Sequence, residues 1–347
     1  MKRTLLALRM LTGVSAAAAA YALDSRRRRR GSESRVVLIT GGSRGLGLAM
    51  AERFGRAGNK LVLAARDFGE LTEARSTLLK RRAVRSPDEV LLIPADLTDP
   101  SQAASLVEHT IAHFGRIDVL INNAGVMEVG PFEDQPLEAY HRSMATNFFA
   151  ALHMIQAVLP HMLYRDRKKP AAIVNICSVG GKVAVPHMLP YVASKFALVG
   201  FSQGLHAELR HKGVRVTTVC PGLMRTGGHV NASFVGDKNK EARWFDFAAT
   251  TPIIAASVKR AANHVYNAVA QGRAEIIITP QAWLAARMAA VAPETTQRLA
   301  ALANEFVLPT PVGLHAASVT EARDAGEEGR SRTATAPWTS PANQPVM

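Results

Sequence analysis

Cysteine is nearly absent from this 347-residue chain: there are two, Cys177 and Cys220, both within apolar strand-like runs. Such thiols read as buried core side chains in a reducing compartment, which excludes a disulfide scaffold. No Cys/His/Asp/Glu cluster has metal-ligand spacing, so no metal is expected. Internal repeats are also missing, which removes solenoids and propellers. Acids are in deficit, 28 against 42 Lys and Arg, for a formal charge of +14. That excess suggests nucleic acid until it is located. Residues 1–35 hold nine Lys/Arg against two acids, and the rest of the chain has neither a basic helix nor an arginine stripe. No nucleic-acid partner is expected.

What is present is apolar mass. With 48% hydrophobic residues, the chain can bury one sizeable core, a single domain of about 250 residues with appendages. The first appendage, residues 1–33, combines Lys2-Arg3, an apolar run Leu5–Leu23 interrupted by Arg9, and the block Arg26–Arg30. A run of this length just reaches across hydrocarbon, where about 20 residues are needed. Three readings fit: a membrane anchor held by the arginines on the cytoplasmic side, a loose or interfacial helix with a basic tail, and a secretory signal. Membrane association with the globular part on the cytoplasmic side is the expectation, and a plain cytoplasmic location follows if the leader is not inserted.

From Val36 onward, short apolar strands alternate with helical runs. The strands are expected at Val36–Thr40, Leu61–Ala65, Glu89–Pro94, Val119–Asn122, Ala172–Cys177, Val214–Cys220 and Ala274–Ile278. Helices are expected at Leu46–Ala57, Phe68–Arg81, Ser101–His113, Tyr140–Tyr164, Tyr191–Arg210 and Ile253–Ala270. Near-continuous apolar strands are covered on both faces. The pattern predicts an α/β, doubly wound Rossmann-like fold, a seven-stranded parallel sheet with helices on both faces. This catalytic domain would span 34–280. Residues 281–309 form a helical extension that could cap the crevice, pack between subunits or touch a membrane. Residues 310–347, rich in Pro, Ser, Thr, Ala and Gly, read as a disordered tail.

The domain is built around VVLITGGSRGLG, Val36–Gly47. A buried strand ends in Thr40, a turn holds Gly41, Ser43, Arg44, Gly45 and Gly47, and a helix begins at Leu46. Such a turn rests a dinucleotide pyrophosphate on backbone amides at a helix N-terminus. At the end of the second strand stand Ala65-Arg66-Asp67. A neutral Ala65, with Arg66 and Arg44 nearby, favours a ribose 2′-phosphate and so NADP(H); Asp67 could instead take the ribose in a shifted register. Asp96-Leu97 after the third strand offers an acid to the adenine amine, or a helix cap. Asn122, Asn123, Ala124 and Gly125 follow the fourth strand, where they can bind local backbone or line the cleft.

Tyr191 and Lys195 lie four residues apart in LPYVASKFALVG, on one helix face. A nearby ammonium favours the phenolate and lowers its pKa. Ser178 ends the fifth strand, where its hydroxyl can hold a substrate oxygen. Together these motifs resemble the classical short-chain dehydrogenase/reductase superfamily over about residues 34–280. The resemblance implies a tetrad of Asn147, Ser178, Tyr191 and Lys195, with Tyr191 as acid or base, Lys195 on the nicotinamide ribose and Asn147 in a water relay. It also implies nicotinamide-side contacts from Pro221, Gly222 and Thr226, and a homodimer or homotetramer.

The substrate walls are expected from Gly180–Pro190 and from Met224–Thr250, whose Val230, Phe234, Trp244, Phe245 and Phe247 either face inward from a lid or fill the domain core. An apolar lid suits a bulky or lipid-like carbonyl or alcohol. The competing readings are a cofactor-binding scaffold without turnover and a membrane-tethered interaction protein.

Overall fold

A computed structural model of the chain describes residues 34–163, 170–225, 232–250 and 256–313. Seven strands form one parallel sheet: β1 (Val36–Thr40), β2 (Lys60–Ala65), β3 (Val90–Pro94), β4 (Val119–Asn122), β5 (Ala171–Ile176), β6 (Val214–Pro221) and β7 (Glu275–Ile278). Their order is β7-β6-β5-β4-β1-β2-β3. After β3 the chain crosses to the other side of β1, so a crevice opens at the carboxyl ends of β1 and β4. The seven strands lie where the sequence predicts them, within a residue or so.

Ten helices follow in chain order among the described residues. They are α1 (Gly45–Gly55), α2 (Phe68–Lys80), α3 (Pro100–Phe114), α4 (Leu137–Met144), α5 (Ala150–Met162), α6 (Leu189–Leu209), α7 (Lys238–Thr250), α8 (Val258–Gln271), α9 (Pro280–Val291) and α10 (Pro293–Phe306). β1 explains how they are held. All five of its residues are buried, and successive side chains point to opposite faces. Val37 and Ile39 pack with Met50 and Phe54 of α1 and Val265 of α8. Val36 and Leu38 pack with Leu106 of α3 and Met154 of α5. Burying one such side chain contributes about 1.5–3 kcal/mol.

Local chemistry sets the helix starts. Asp67 caps α2 by accepting from the Glu70 amide, and Asp99 caps α3 ahead of Pro100. The single helix expected over 140–164 is instead two, α4 and α5, joined by a π-helical turn at Ala145–Phe149. The insert costs regular hydrogen bonding and turns Asn147 inward. The helix expected from Ile253 begins at Val258, where Ser257 accepts from the Arg260 amide.

Helices α9 and α10 bury Ala282 and Ala286 but leave Trp283, Leu299, Leu302 and Phe306 exposed. Beyond them the chain is tied back to the domain. The amides of Val312 and Gly313 donate to the buried Asp134 carboxylate at 2.9 and 2.6 Å.

The expected membrane association is corrected: among the described residues no helix is long and apolar enough to cross a membrane. Leu5–Leu23, on which that expectation rested, lies outside the described residues, as do the run Arg165–Lys169, Thr226, His229 and Val230.

Candidate active site

The glycine turn is shaped by backbone needs. Gly45 has φ +55°, a left-handed conformation costly for a side chain. An added Cβ at Gly47 would run into the Gly41 carbonyl oxygen. No side chain caps α1, and no acid stands in its first turn. Its leading amides therefore face the crevice ready for an anion, as a pyrophosphate requires. Thr40 braces the turn from below: its hydroxyl oxygen accepts from the Asn123 and Ala124 amides at 2.9 and 3.0 Å. The Asn123 amide donates to the carbonyls of Thr40 and Gly41, both at 3.0 Å. Thr40 and Asn123 thus hold β1 and β4 at the spacing of the crevice mouth.

The crevice is a cleft of about 380 Å³. Gly41, Ser43, Arg44, Gly45 and Leu46 line the end expected to take a pyrophosphate, and Arg66, Asp96 and Leu97 the end expected to take adenosine. Ala124, Gly125, Tyr191 and Lys195 line its far end, with Asn123 between. Pro221 and Gly222, at and just after the end of β6, are not among the residues that line it; the Gly222 amide donates to the Ile278 carbonyl at 3.0 Å. A larger groove of about 620 Å³ lies between β3 and α3 and holds none of the predicted site residues.

At the adenosine end the structure adds a residue that sequence reading missed. Glu70, on α2, accepts from Ser43 Oγ at 2.8 Å and pairs with Arg44 at 2.8 Å. Asp67 is engaged as the α2 cap, and Arg66 lines the cleft beside it. Glu70 sits three residues after a helix-capping Asp, a position that looks like ordinary first-turn acid; only the fold brings it to Arg44. Asp96 lines the cleft while its carboxylate also accepts from the Thr98 amide and hydroxyl at 3.0 and 2.7 Å. The α3 cap is Asp99, so the cap alternative for Asp96 falls away.

At the other end, Ser178, Tyr191, Lys195 and Asn147 converge from three elements. Ser178 follows β5 and its hydroxyl accepts from the Gly180 amide at 3.0 Å. Ser178 Oγ and the Tyr191 ring flank Gly180; the hydroxyl favours the phenolate against a larger effect of burial, and the phenol is pushed up to about 12. Burial also lowers the Lys195 ammonium from its usual value. Lys195 Nζ donates to the Ile176 carbonyl at 3.0 Å and stands 5.7 Å from the Tyr191 ring centroid. Asn147 accepts from the Val126 amide at 2.8 Å and donates to its carbonyl and to Ser194 Oγ, at 3.0 and 2.9 Å.

Behind the site runs a buried polar chain. Asn122 donates to Asn175 at 2.9 Å, Asn175 to Ser202 at 3.0 Å, and Thr218 to Ser202 at 2.7 Å. It crosses β4, β5 and β6 and ties α6 to the sheet. Such a network rigidifies when its members are paired.

Residues 35–233 match the short chain dehydrogenase family. The chain belongs to it. Among curated members of this short-chain dehydrogenase family, the "Dehydrogenase/reductase SDR family protein 7-like" of Anopheles gambiae is 37% identical over 60% of this chain and 65% of its own length. "Dehydrogenase/reductase SDR family member 7" of Homo sapiens is 34% identical over 59% of each. This chain thus spans less than two thirds of either relative. Among solved structures, a Burkholderia phymatum short-chain dehydrogenase/reductase in complex with NAD is 26% identical, with a TM-score of 0.68 over 76% of this chain and 95% of that one. An actinorhodin polyketide ketoreductase variant with NADPH is 29% identical, with a TM-score of 0.61 over 71% and 95%.

Proposed function

We propose that this short-chain dehydrogenase is an NADP(H)-dependent oxidoreductase that interconverts a ketone or aldehyde with the corresponding alcohol. One observation carries the reading: Tyr191, beside Ser178, and Lys195 line the far end of a cleft whose other end is an uncapped helix N-terminus.

The cofactor, when bound, supplies or accepts the hydride. Tyr191 holds the transferable proton. It donates to the substrate oxygen in reduction and takes the proton back in oxidation. Ser178 orients that oxygen and offsets its developing charge. Lys195 holds the nicotinamide ribose, and Asn147 fixes the backbone at Val126 beside it. Arg66 and Arg44 favour a 2′-phosphate, with Arg44 released by Glu70 as the phosphate arrives. The two buried free thiols suit a reducing compartment such as the cytoplasm.

The substrate is a bulky apolar carbonyl compound or alcohol. The support is the wall around Tyr191, where Met127, Val185, Phe234 and Trp244 pack about Met188, Val192 and Phe245. Phe247, expected in the same wall, is instead 71% exposed. A panel of ketones and aldehydes of graded size, incubated with purified protein and NADPH, tests the reading. Oxidation of NADPH that grows with apolar bulk supports it. Absence of turnover across the panel overturns it, whether or not NADPH binds.

A further inference from the structure

Helix α7 forms the roof of that apolar wall and is fastened from inside. Glu241, fully buried, accepts from Nε1 of Trp244 on its own helix at 2.6 Å. Its other oxygen meets Nδ1 of His187 at 2.8 Å. His187 belongs to a different element, the loop between Ser178 and α6, and stands four residues before Tyr191. It too is buried. Its backbone has φ +61°, a left-handed conformation that non-glycine residues seldom adopt. The Gly130 amide donates to its carbonyl at 2.7 Å.

A carboxylate is costly to bury unless each oxygen finds a donor. Here each does, and the two donors come from different elements. Apolar side chains alone would hold a roof in several registers, because such contacts have no direction. A carboxylate held between an imidazole and an indole accepts one arrangement. The neighbours that this arrangement fixes belong to the cluster that packs against Tyr191. Trp244 stands edge-on to His187 and to Phe245, with centroids 6.4 and 5.7 Å apart. Phe245, Met188 and Val192 form the buried centre of the cluster, and Tyr191 and Val185 pack against it.

We infer that the His187–Glu241 pair is a latch that seats the α7 roof beside Tyr191 and so sets how long an apolar substrate the site binds well. Both are positioning residues, since neither touches the reacting atoms. The inference rests on the carbonyl-reductase reading and names a specificity device within it.

The test compares the full chain with Glu241→Gln, His187→Ala and His187→Asn. Asn tolerates the left-handed backbone and its amide can donate to Glu241. Steady-state kinetics are measured with NADPH and a series of methyl ketones of increasing chain length, beside limited trypsin digestion. Glu241→Gln and His187→Ala should raise KM for the longer ketones by about tenfold while kcat changes by less than about threefold, the pattern of lost uniform binding. His187→Asn should return KM to within about threefold of the unaltered protein. Trypsin should cut faster at Lys238, Lys240 and Arg243 in the first two variants, with other sites and NADPH affinity unchanged. An unchanged KM overturns the latch. So does a joint fall in kcat, NADPH affinity and general protease resistance in every variant, which would make the pair a support of the whole fold. If the unaltered protein binds NADPH but reduces no ketone, the functional reading fails; the digestion pattern then decides the latch alone.

Discussion

The Asn147 side chain donates to the Ser194 hydroxyl at 2.9 Å, and that hydroxyl donates to the Tyr191 carbonyl at 2.7 Å. The π-helical turn is thereby tied to the first turn of the helix that carries both Tyr191 and Lys195. Ser194→Ala should leave a buried amide and a carbonyl short of a partner, at a cost of about 1–3 kcal/mol. Urea unfolding beside turnover measures it, and a change below about 0.5 kcal/mol, the range of ordinary surface substitutions, would refute the contact's importance.

Tyr191→Phe should abolish hydride transfer while NADPH binding stays near normal. The ring keeps its packing but loses the transferable proton. Turnover and fluorescence titration in parallel check this, and turnover within about tenfold of the unaltered protein, roughly 1.4 kcal/mol of barrier, removes Tyr191 from its role.

The pH dependence follows from the phenol being pushed up to about 12 by burial. The protonated form is the donor in reduction, so the Tyr191 ionisation should leave reduction flat through neutrality and reduce it only at strongly alkaline pH. The ionised form is the base in oxidation, so oxidation should climb by about tenfold per pH unit below that value. Initial rates in both directions across pH decide it. A reduction limb that already falls near neutral pH would place the proton elsewhere.

Cofactor choice should be readable at the adenosine end. NADPH should bind at least about tenfold more tightly than NADH, or roughly 1.4 kcal/mol, and Arg66→Ala should erase much of the difference. Glu70→Gln should widen it, because Arg44 is then free of the carboxylate it now pairs with. Equal dissociation constants in the unaltered protein would end the 2′-phosphate argument.

Truncation separates two parts of the C-terminal segment. A chain ending at residue 313 should fold and turn over normally. One ending at 309 loses both amides that bind Asp134, leaving a buried carboxylate short of donors at a cost of about 1–3 kcal/mol. Denaturant midpoints of the two chains test this, and equal midpoints would show the clasp to be idle.

The sheet was legible because its strands are near-continuous apolar runs, as β1 and β5 illustrate, with each burying all its residues. The cleft was legible at Gly41–Gly47 and at Asn123–Gly125, where short local motifs do the shaping. Three features were not. The π-helical turn at Ala145–Phe149 leaves no mark in a 3.6-residue periodicity. Glu70 and Glu241 look like any helix-surface acids, and only tertiary packing brings them to Arg44 and His187.

The sheet order carries a consequence for synthesis on the ribosome. β1 lies inside the sheet and pairs with β2 on one side and β4 on the other. Its first partner follows within a helix's length; its second must wait until β3 and α3 have also emerged. Strands β1–β3 can therefore pair while Ser178, Tyr191 and Lys195 are still untranslated. Until residue 119 arrives, a strand of four apolar residues and Thr40 keeps one bare edge, a template for pairing with any other chain nearby. A stall between β3 and β4 is the moment at which this protein is most open to misassociation, and the N-terminal half is where a nascent-chain chaperone has most to cover.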